Sequence, residues 1–591
     1  MRQILSFISI FFLSITVAQA QNLNAFKRIL IADNGRIKPL DSFSKTKLLE
    51  YSGRSKNHNQ WLFETLFFPE KSNEKDIFLI ENPDLRNALN LDENKKRFSF
   101  NELEKASRKL YKLSDQITQE KEEKDFSLLE KQIVNLKSNF NSYLNINNSF
   151  LFAIDNPAFT LSARNAQKLN LKEKNSLYKV LEQAGLLSAA IENLDIKKND
   201  FQEAEAELMG LSLTLYKWIE NFRIYDENFN TEAKFSIIPS KKTWLSTWET
   251  IYMPNNEEKA YLWHLNQIYE NRDNNSFNEK IKTFNQKVLK QVNYKKIQIE
   301  LEILYNQLNP FKLAVIFFFL ALCLLLRSTQ LSYLLCLSAF AIEMVAIIAR
   351  IIIMQRPPVS NLYETFIFIA AAVTLLGLII YKIEKNKIGL FLAAFSGFVL
   401  TLISFKFASQ GDSMQALIAV LNSNFWLSTH VICISLGYAG IFAAGVVAHV
   451  YIIQKLNTKK LGNLKSYILG LLGFGLILSF LGTLLGGIWA DQSWGRFWGW
   501  DPKENGALLI VLWTALIFHA KISGQIKDNG LALLTVFGTV IVMLSWLGVN
   551  LLGVGLHSYG FTKELFLALL SFSIAEIVFI AYTAFKLRKI N

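Results

Sequence analysis

The second half of the chain is dominated by long apolar runs, and this feature restricts the fold more than any other. Residues 310–591 form a series of such runs separated by short loops, whereas residues 21–309 are polar and rich in Lys, Glu, Asn and Gln. A helix needs a run of about 20 apolar residues to cross a bilayer. The sequence therefore predicts an all-α chain in which a mostly helical domain, residues 21–309, precedes a polytopic membrane domain, residues 310–591.

About nine spanning helices are predicted from these runs. They cover residues 311–327, 331–354, 362–382, 388–405, 425–454, 466–488, 504–521, 530–549 and 563–586. The loops at 382–387, 454–465 and 521–527 and the tail at 586–589 are rich in lysine. Such loops face the cytoplasm in membrane proteins, so the remaining loops and the polar domain are predicted to face outward.

The first twenty residues have the pattern of a secretory signal peptide. Arg2 supplies the positive end, Ile4 to Val17 the apolar stretch, and Ala18-Gln19-Ala20 a small-residue cleavage site. An uncleaved first membrane helix is the alternative, and both interpretations export residues 21–309. We predict a multi-pass protein of the bacterial cytoplasmic membrane, with this domain in the periplasm.

Charge and cysteine content exclude several classes of function. The net charge is +13, but the positive residues are spread through the polar half and concentrated in short membrane loops, so no nucleic-acid partner is predicted. Cys323, Cys336 and Cys433 all lie within apolar runs and form no CxxC or CxxCH motif. A structural zinc site and covalently attached haem are therefore not expected.

The segment from Trp494 to Glu504, WGRFWGWDPKE, is the most distinctive in the chain. It places tryptophans, a phenylalanine and two carboxylates on one predicted loop, residues 489–504. Tryptophan is common at membrane interfaces, so an aromatic belt is one interpretation. The clustering of these rings around Gly495, Gly499 and Pro502 favours the other interpretation, a folded aromatic platform for a large, flat, apolar ligand.

Histidines share the predicted outer face with this loop. His430 begins the fifth predicted helix, and His557 lies in the loop before the last one. Ionisable groups inside membrane segments are costly and usually functional, and two neutral imidazoles can hold haem iron axially. We therefore favour haem ligation over a role for each as a hydrogen-bonded loop residue.

Two further histidines are predicted at the inner end of the membrane. His519 closes the seventh predicted helix, roughly 28 Å from the Trp-rich loop at 1.5 Å per residue. His449 lies nineteen positions after His430 in the fifth helix. The two could form an inner pair of histidines. Alternatively, either one extends its side chain to the cytoplasmic interface of the membrane.

The membrane half resembles the CcsA family, the haem-handling subunit of system II cytochrome c synthases. Three segments carry the resemblance: PPVSNLYETFIF (357–368), the Trp-rich "WWD" segment with the helix ending in His519, and the pair of His430 and His557. The resemblance covers about residues 310–591. In the polar half, NGRIKPLDSF (34–43), predicted as a turn and an extended segment, is similar to sequences fused ahead of CcsA-like regions.

The resemblance implies a cytochrome c synthase (holocytochrome c haem lyase) subunit. Such a protein binds non-covalent haem b, moves it to the outer face and presents it to the CxxCH motif of apocytochrome c for thioether attachment. His430 and His557 would be the outer iron ligands, and His519 one inner ligand. The family's other inner ligand comes from a CcsB (ResB-like) part, which is not recognisable here, so a separate CcsB-like subunit or His449 would supply it.

The remaining assignments concern the Trp-rich loop. Trp494, Trp498, Trp500 and Asp501 are assigned to the reacting centre, and Trp489, Arg496 and Glu504 to haem binding. Such a platform would act mainly by positioning haem. Arg496 and Lys503 suit haem propionates or lipid headgroups, whereas Asp501 and Glu504 most simply structure the loop or cap the next helix.

Two other classes of function remain open on sequence alone. One is a membrane b-haem protein for electron transfer, which would hold permanent haems between paired histidines. The other is a transporter for haem or another small molecule, or a scaffold whose exported domain recruits partners. The related system I haem lyase usually has more spanning helices than are predicted for this chain, so we favour the CcsA family over that family.

Overall fold

Two compact units, Met1–Ile303 and Leu304–Asn591, make up the fold, and each has its own apolar core. The computed structural model describes residues 23–122, 125–192, 203–228, 234–241, 243–252, 256–408, 413–417, 421–457, 460–549 and 563–589. The signal predicted for residues 1–20 and the predicted ligand His557 lie outside the described residues. Helices predominate in both units, which confirms the predicted all-α class.

The first unit is a helical domain. Its helices are Leu40–Ser52, His58–Phe67, Pro69–Asn73, Pro83–Ala88, Phe100–Glu120, Leu128–Asn148, Ala163–Lys168, Leu177–Glu182, Ala184–Glu192, Glu203–Asn228, Thr247–Tyr252, Asn256–Glu270, Phe277–Gln291 and Lys296–Leu308, the last of which crosses the unit boundary. The two long helices that begin at Phe100 and Leu128 start with capping boxes, in which Ser99 and Ser127 exchange hydrogen bonds with glutamates three residues later.

Short antiparallel hairpins, which the sequence did not predict, punctuate this unit. The pairs are β1 (Leu30–Asp33) with β2 (Arg36–Pro39), β3 (Phe78–Leu79) with β4 (Arg97–Phe98), β5 (Asp155–Thr160) with β6 (Lys174–Ser176), and β7 (Ile238–Pro239) with β8 (Trp244–Leu245). Strands of two to six residues give little hydropathy alternation, which explains why their pattern is weak in the sequence.

The NGRIKPLDSF segment contains the first of these hairpins. Asn34 and Gly35 have φ of 48° and 75°, the left-handed conformation that a two-residue hairpin turn requires. The predicted turn is therefore confirmed, but the extended segment is shorter than predicted, since a helix begins at Leu40. The Arg36 guanidinium lies 2.8 Å from the Glu302 carboxylate, and this buried pair joins the hairpin to the last helix of the unit.

The second unit is the multi-pass membrane domain. Its helices are α1 (Pro310–Leu324), α2 (Thr329–Met354), α3 (Leu362–Glu384), α4 (Lys387–Ala408), α5 (Asn424–Leu456), α6 (Leu464–Trp494), α7 (Pro502–Ile522), α8 (Asp528–Trp546) and α9 (Lys563–Arg588). Among the described residues, 8 helices are long and apolar enough to cross a membrane, or up to 9 if Lys296–Leu308 and α1 count as one broken span. The predicted helices are reproduced in order, and most of their ends agree within a few residues.

The two ends of this bundle differ in composition. The connections from α3 to α4, α5 to α6 and α7 to α8 lie at one end, named here the lysine-rich end. Residues of different connections contact one another there, as between Asn386 and the Tyr467 hydroxyl at 2.6 Å and between Lys465 and Asp528 at 3.2 Å. The start of α5, the end of α6 and the start of α7 lie at the opposite, tryptophan-rich end.

Helices α5 and α6 approach each other closely because glycines replace side chains along their contact. A Cβ atom on Gly437 would lie 2.7 Å from the Ser479 backbone nitrogen, and one on Gly482 would lie 2.8 Å from that of Ile434. Small residues at such positions allow membrane helices to pack backbone against backbone. This contact fixes the position of the first turns of α5 on α6.

Replacement of Gly482 by alanine should destabilise the membrane unit. The added methyl group overpacks the contact with Ile434, a change that typically costs 1–3 kcal/mol. Gly470→Ala is the matched control on the same helix, because a Cβ there meets nothing within 4 Å. Thermal unfolding in detergent should show a lower midpoint for Gly482→Ala alone, and equal midpoints would contradict the packing described.

Candidate functional site

His430 lies in a π-helical turn near the start of α5. Residues Leu427–Val431 form this turn, which interrupts the α-helical hydrogen bonding between Trp426 and Ile432. The hydroxyls of Ser428 and Thr429 donate to carbonyl groups four residues earlier, at 2.6 and 2.8 Å, and so support the distorted turn. Single π turns within α-helices occur frequently at functional sites.

The orientation of the His430 imidazole is set by α6. Its Nδ1 atom lies 2.7 Å from the Gly482 carbonyl oxygen. A carbonyl can only accept a hydrogen bond, so Nδ1 carries the proton and, in the neutral ring, the lone pair lies on Nε2. Gly486 makes room for the ring, since a Cβ there would lie 2.7 Å from the imidazole Cε1. This is the tautomer of a histidine that binds a metal through Nε2.

Two tryptophans accompany this histidine. The Trp489 ring lies 5.7 Å from the His430 ring, and Trp426 stacks on Trp489 at 6.3 Å with an angle of 12° between the ring planes. The Trp426 indole also donates to the Gln492 side chain at 3.1 Å. The structure thus brings His430 and Trp489 together as predicted. Sequence reasoning missed Trp426, although its spacing of four residues before His430 is a usable signal.

Helix α6 extends six residues beyond its predicted end at Ile488, so Trp489 and Trp494 belong to the helix rather than to a loop. Gly495, with φ of 68°, ends the helix by donating its N–H to the Asp491 carbonyl at 2.8 Å. The apolar run ends at Ile488, which explains why hydropathy places the boundary too early. The connection between α6 and α7 is therefore shorter than the predicted loop of residues 489–504.

The short connection is packed by its own side chains. The Phe497 ring covers Gly487, where a Cβ would lie 2.6 Å from its Cζ atom, and the Arg496 guanidinium occupies the space that a Gly499 side chain would need. Trp498 and Trp500 meet edge to face, with ring centres 6.2 Å apart. Trp500 is 70% exposed. The predicted aromatic cluster is present, and Trp500 is its most exposed ring.

Asp501 and Glu504 form the start of α7. Asp501 is the N-cap, and its carboxylate accepts from the Lys503 N–H at 2.8 Å. Glu504 completes a capping box by accepting from the Asp501 N–H at 3.1 Å, and it also accepts from the Gly499 N–H at 2.8 Å. The expectation that both carboxylates structure the loop and cap the helix is confirmed, whereas the assignment of Asp501 to the reacting centre stays a prediction.

Lys503 caps the neighbouring helix. Its ammonium group donates to the Trp546 carbonyl at 2.8 Å, at the C-terminal end of α8. A cation at this position interacts favourably with the helix dipole. This contact differs from the predicted pairing with a haem propionate or a lipid headgroup.

The histidines toward the lysine-rich end have different surroundings. His519, on α7, is exposed. Only 22% of the apolar stretch of this helix is buried inside the bundle. His449, on α5, has both ring nitrogens engaged: Nδ1 lies 2.8 Å from the Gly445 carbonyl, and Nε2 lies 3.0 Å from the Glu576 carboxylate of α9. In this arrangement His449 joins α9 to α5 and has no ring nitrogen left for iron, contrary to its prediction as an alternative ligand.

A buried ion pair organises the loop of the PPVSNLYETFIF motif at the tryptophan-rich end. Arg350 of α2 and Glu364 of α3 are both 1% exposed and lie 2.7 Å apart. The Arg350 guanidinium also donates to the Ser413 carbonyl at 2.7 Å, and Ser360 donates to Glu364 through its N–H and its hydroxyl. Sequence reasoning gave Arg350 no role, although an arginine inside a predicted span is itself a signal.

The same loop holds the segment that leads into α5. Arg356 donates to the Gln415 carbonyl at 2.6 Å, and the Asn424 side chain donates to the Gln355 carbonyl at 3.1 Å. Asn424 is the first residue of α5, two positions before Trp426. The Arg350 pair and its loop therefore position the helix start on which His430 lies.

Arg350→Met should strongly destabilise the membrane unit, because it leaves the buried Glu364 without its cation. Removal of one partner of a buried pair costs roughly 3–5 kcal/mol. Arg327→Met, at an exposed arginine, is the control. Unfolding in detergent should also show that Arg350→Met/Glu364→Gln recovers part of the loss. A single variant as stable as the control would contradict this role of the pair.

The described residues thus define a multi-pass helical membrane protein with a histidine and a cluster of tryptophans at one end. The family model described as "Cytochrome C assembly protein" matches residues 359–557. This range begins in the loop before α3 and includes His430, the Trp-rich segment, His519 and His557. The first unit lies outside it.

Similarity to individual proteins identifies the family more specifically. The chain is similar to "Cytochrome c biogenesis protein CcsA" of Chlamydomonas reinhardtii, with 32% identity over 216 residues, which are 34% of this chain and 61% of the relative. The proteins of the same name from Guillardia theta and Chlorella vulgaris are 33% and 34% identical, and the matches cover 34% of this chain in each case and 76% and 78% of those relatives. The chain belongs to the CcsA family.

Proposed function

We propose that this chain acts in cytochrome c biogenesis by binding haem at its tryptophan-rich end for attachment to apocytochrome c. The observation that carries the proposal is the hydrogen bond from His430 Nδ1 to the Gly482 carbonyl. It orients the imidazole and puts the lone pair of the neutral ring on Nε2, as an axial haem ligand requires. The half-buried Trp489 ring beside it offers apolar surface for a porphyrin face, and the buried Trp426 ring supports Trp489 from behind.

His557 would be the second axial ligand. Its assignment rests on the CcsA resemblance and on its place in the predicted loop at the same end of the bundle. Arg496, half-buried with its guanidinium against Gly499, would supply a cation for a haem propionate, and charge-assisted pairs of this kind give orientation as well as affinity. Lipid headgroups are the competing partner for Arg496.

The chemistry that this arrangement would support is addition, with haem as the substrate. A cysteine S–H of the CxxCH motif adds across a vinyl double bond, so that sulfur binds one carbon and hydrogen the other. Nothing leaves and no oxidant is needed, so the protein contributes chiefly by holding the vinyl group against the thiol. This supports a role for the chain as a cytochrome c synthase (holocytochrome c haem lyase) subunit.

We propose that a separate CcsB-like subunit completes the inner haem site. His519 is exposed on α7 and would remain accessible to a ligand shared with such a partner. His449, the other candidate, is engaged by Gly445 and Glu576. The lysine-rich loops favour an orientation in which His519 lies on the cytoplasmic side of a bacterial inner membrane and the tryptophan-rich end faces the periplasm.

His430→Ala/His557→Ala should lose non-covalent haem. We expect the haem content of purified protein, measured by absorption and pyridine haemochrome, to fall at least roughly tenfold, which corresponds to about 1.4 kcal/mol of binding free energy. His264→Ala, in the first unit, is the matched control. Full haem content in the double variant would disprove the ligand assignment, and absence of haem from the wild-type protein with and without a CcsB-like partner would disprove the proposed function.

His449→Ala should retain haem and lose stability instead. The substitution leaves the Glu576 carboxylate without its imidazole partner between α5 and α9. Glu576→Gln should weaken the same link, so both variants should unfold at lower temperature while their haemochrome signal per folded protein stays unchanged. Loss of haem from His449→Ala but not from Glu576→Gln would instead identify His449 as an iron ligand.

A further inference from the structure

Trp500 has an unusual backbone conformation. Its φ is +56°, and among the described residues it is the only aromatic residue with a positive φ; the other non-glycine residues are Asn34, Asn57, Asn90, Asn170, Asn309, Gln355 and Lys385. A side chain as bulky as tryptophan is disfavoured in this left-handed region. Such conformations persist only when the surrounding structure imposes them, and they cluster at functional sites.

The imposing structure is a set of hydrogen bonds on both sides of Trp500. One oxygen of Glu504, Oε2, accepts from the N–H before it (Gly499, 2.8 Å) and from the N–H after it (Asp501, 3.1 Å). The Asn505 side chain donates to the Trp500 carbonyl at 2.9 Å. A left-handed residue between converging N–H groups creates a concave site for an anion, and here the anion is a carboxylate of the same chain.

The exposure of the ring makes this conformation informative. The Trp500 side chain is 70% exposed, so no packing against the core compensates for its strained backbone. A tryptophan that only anchors the chain at a membrane interface has no need of a left-handed backbone. Both the strain and the exposure are explained if the ring is held in place for a flat ligand that covers it.

We propose that Glu504 and Asn505 are positioning residues that hold the Trp500 ring as a preformed contact for the haem face. This inference rests on the proposed function and deepens it. Glu504 would then act on haem through Trp500, in place of the direct haem contact predicted for it. Trp498, whose ring meets Trp500 at 86°, forms the adjoining wall of the contact.

This role of Glu504 accounts for the spacing of the WGWDPKE segment. Gly499 leaves room for the Arg496 guanidinium, and Asp501 and Pro502 begin α7 as N-cap and first residue. The carboxylate that completes the cap, Glu504, then reaches the N–H groups on both sides of Trp500. The helix start and the presentation of the ring therefore depend on the same side chain.

The test is a double-mutant cycle on haem binding. Full-length wild-type protein, Glu504→Ala, Trp500→Ala and the double variant are titrated with haemin in detergent, and affinity is read from absorbance. We expect each single variant to bind about tenfold more weakly, and the double variant to bind no more weakly than Trp500→Ala. Coupling of this kind identifies residues that act through one another.

Controls separate positioning from stability. Glu130→Ala removes the equivalent glutamate from a capping box in the first unit and should not change haemin affinity. Asn505→Ala should weaken binding in the same direction as Glu504→Ala, and Glu504→Gln, which keeps an oxygen acceptor, should retain most of it. These two variants also provide the test if Glu504→Ala does not fold.

The outcomes distinguish the two proposals. If the wild-type protein binds haemin and Glu504→Ala, Asn505→Ala and Glu504→Gln all bind it equally well, the positioning role is wrong and the proposed function stands. Losses from Glu504→Ala and Trp500→Ala that simply add would also overturn the positioning role, because they would show two independent effects. If the wild-type protein binds no haemin, both proposals fail.

Discussion

The close contact between α5 and α6 is the constraint on which the candidate site depends. Because Gly437 and Gly482 bring the two backbones together, the Gly482 carbonyl reaches the imidazole of His430 and Trp489 reaches its ring. Lipid tails are as apolar as leucine, so this contact depends on van der Waals fit rather than on exclusion of water. The positions of the groups around His430 therefore depend on how closely the two glycine-lined helix surfaces fit together.

Polar side chains inside the bundle serve as connections between specific helices. Arg350 and Glu364 join α2 to α3 and hold the segment that enters α5, and His449 and Glu576 join α5 to α9. Lys503 joins the start of α7 to the end of α8. Because an unpaired charge is costly in an apolar medium, each contact favours one arrangement of helices over the alternatives that apolar packing alone would allow.

The sequence was sufficient to predict the membrane helices, because each run of apolar residues is long and the loops between them are polar. It also placed His430 and the Trp-rich segment on the same face, and favoured Asp501 and Glu504 as a helix cap. The turn at Asn34 and Gly35 was predicted, but the extension of α6 to Trp494, the short strands of the first unit and the π turn were not predictable, since none changes the hydropathy pattern. The partner of His449 lies 127 residues away on α9, and only tertiary structure shows that the two meet.

The π turn at Leu427–Val431 has a consequence for how the chain tolerates change in length. Successive residues of an α-helix are rotated by about 100° around its axis. Deletion of one residue within the turn would restore regular α-helix, and Trp426 would then rotate by about this angle relative to the rest of α5. The stack on Trp489 would be lost although α5 would lose only one of its 33 residues. The number of residues in this single turn, rather than their hydrophobicity, thus determines which side chains face α6 at the tryptophan-rich end.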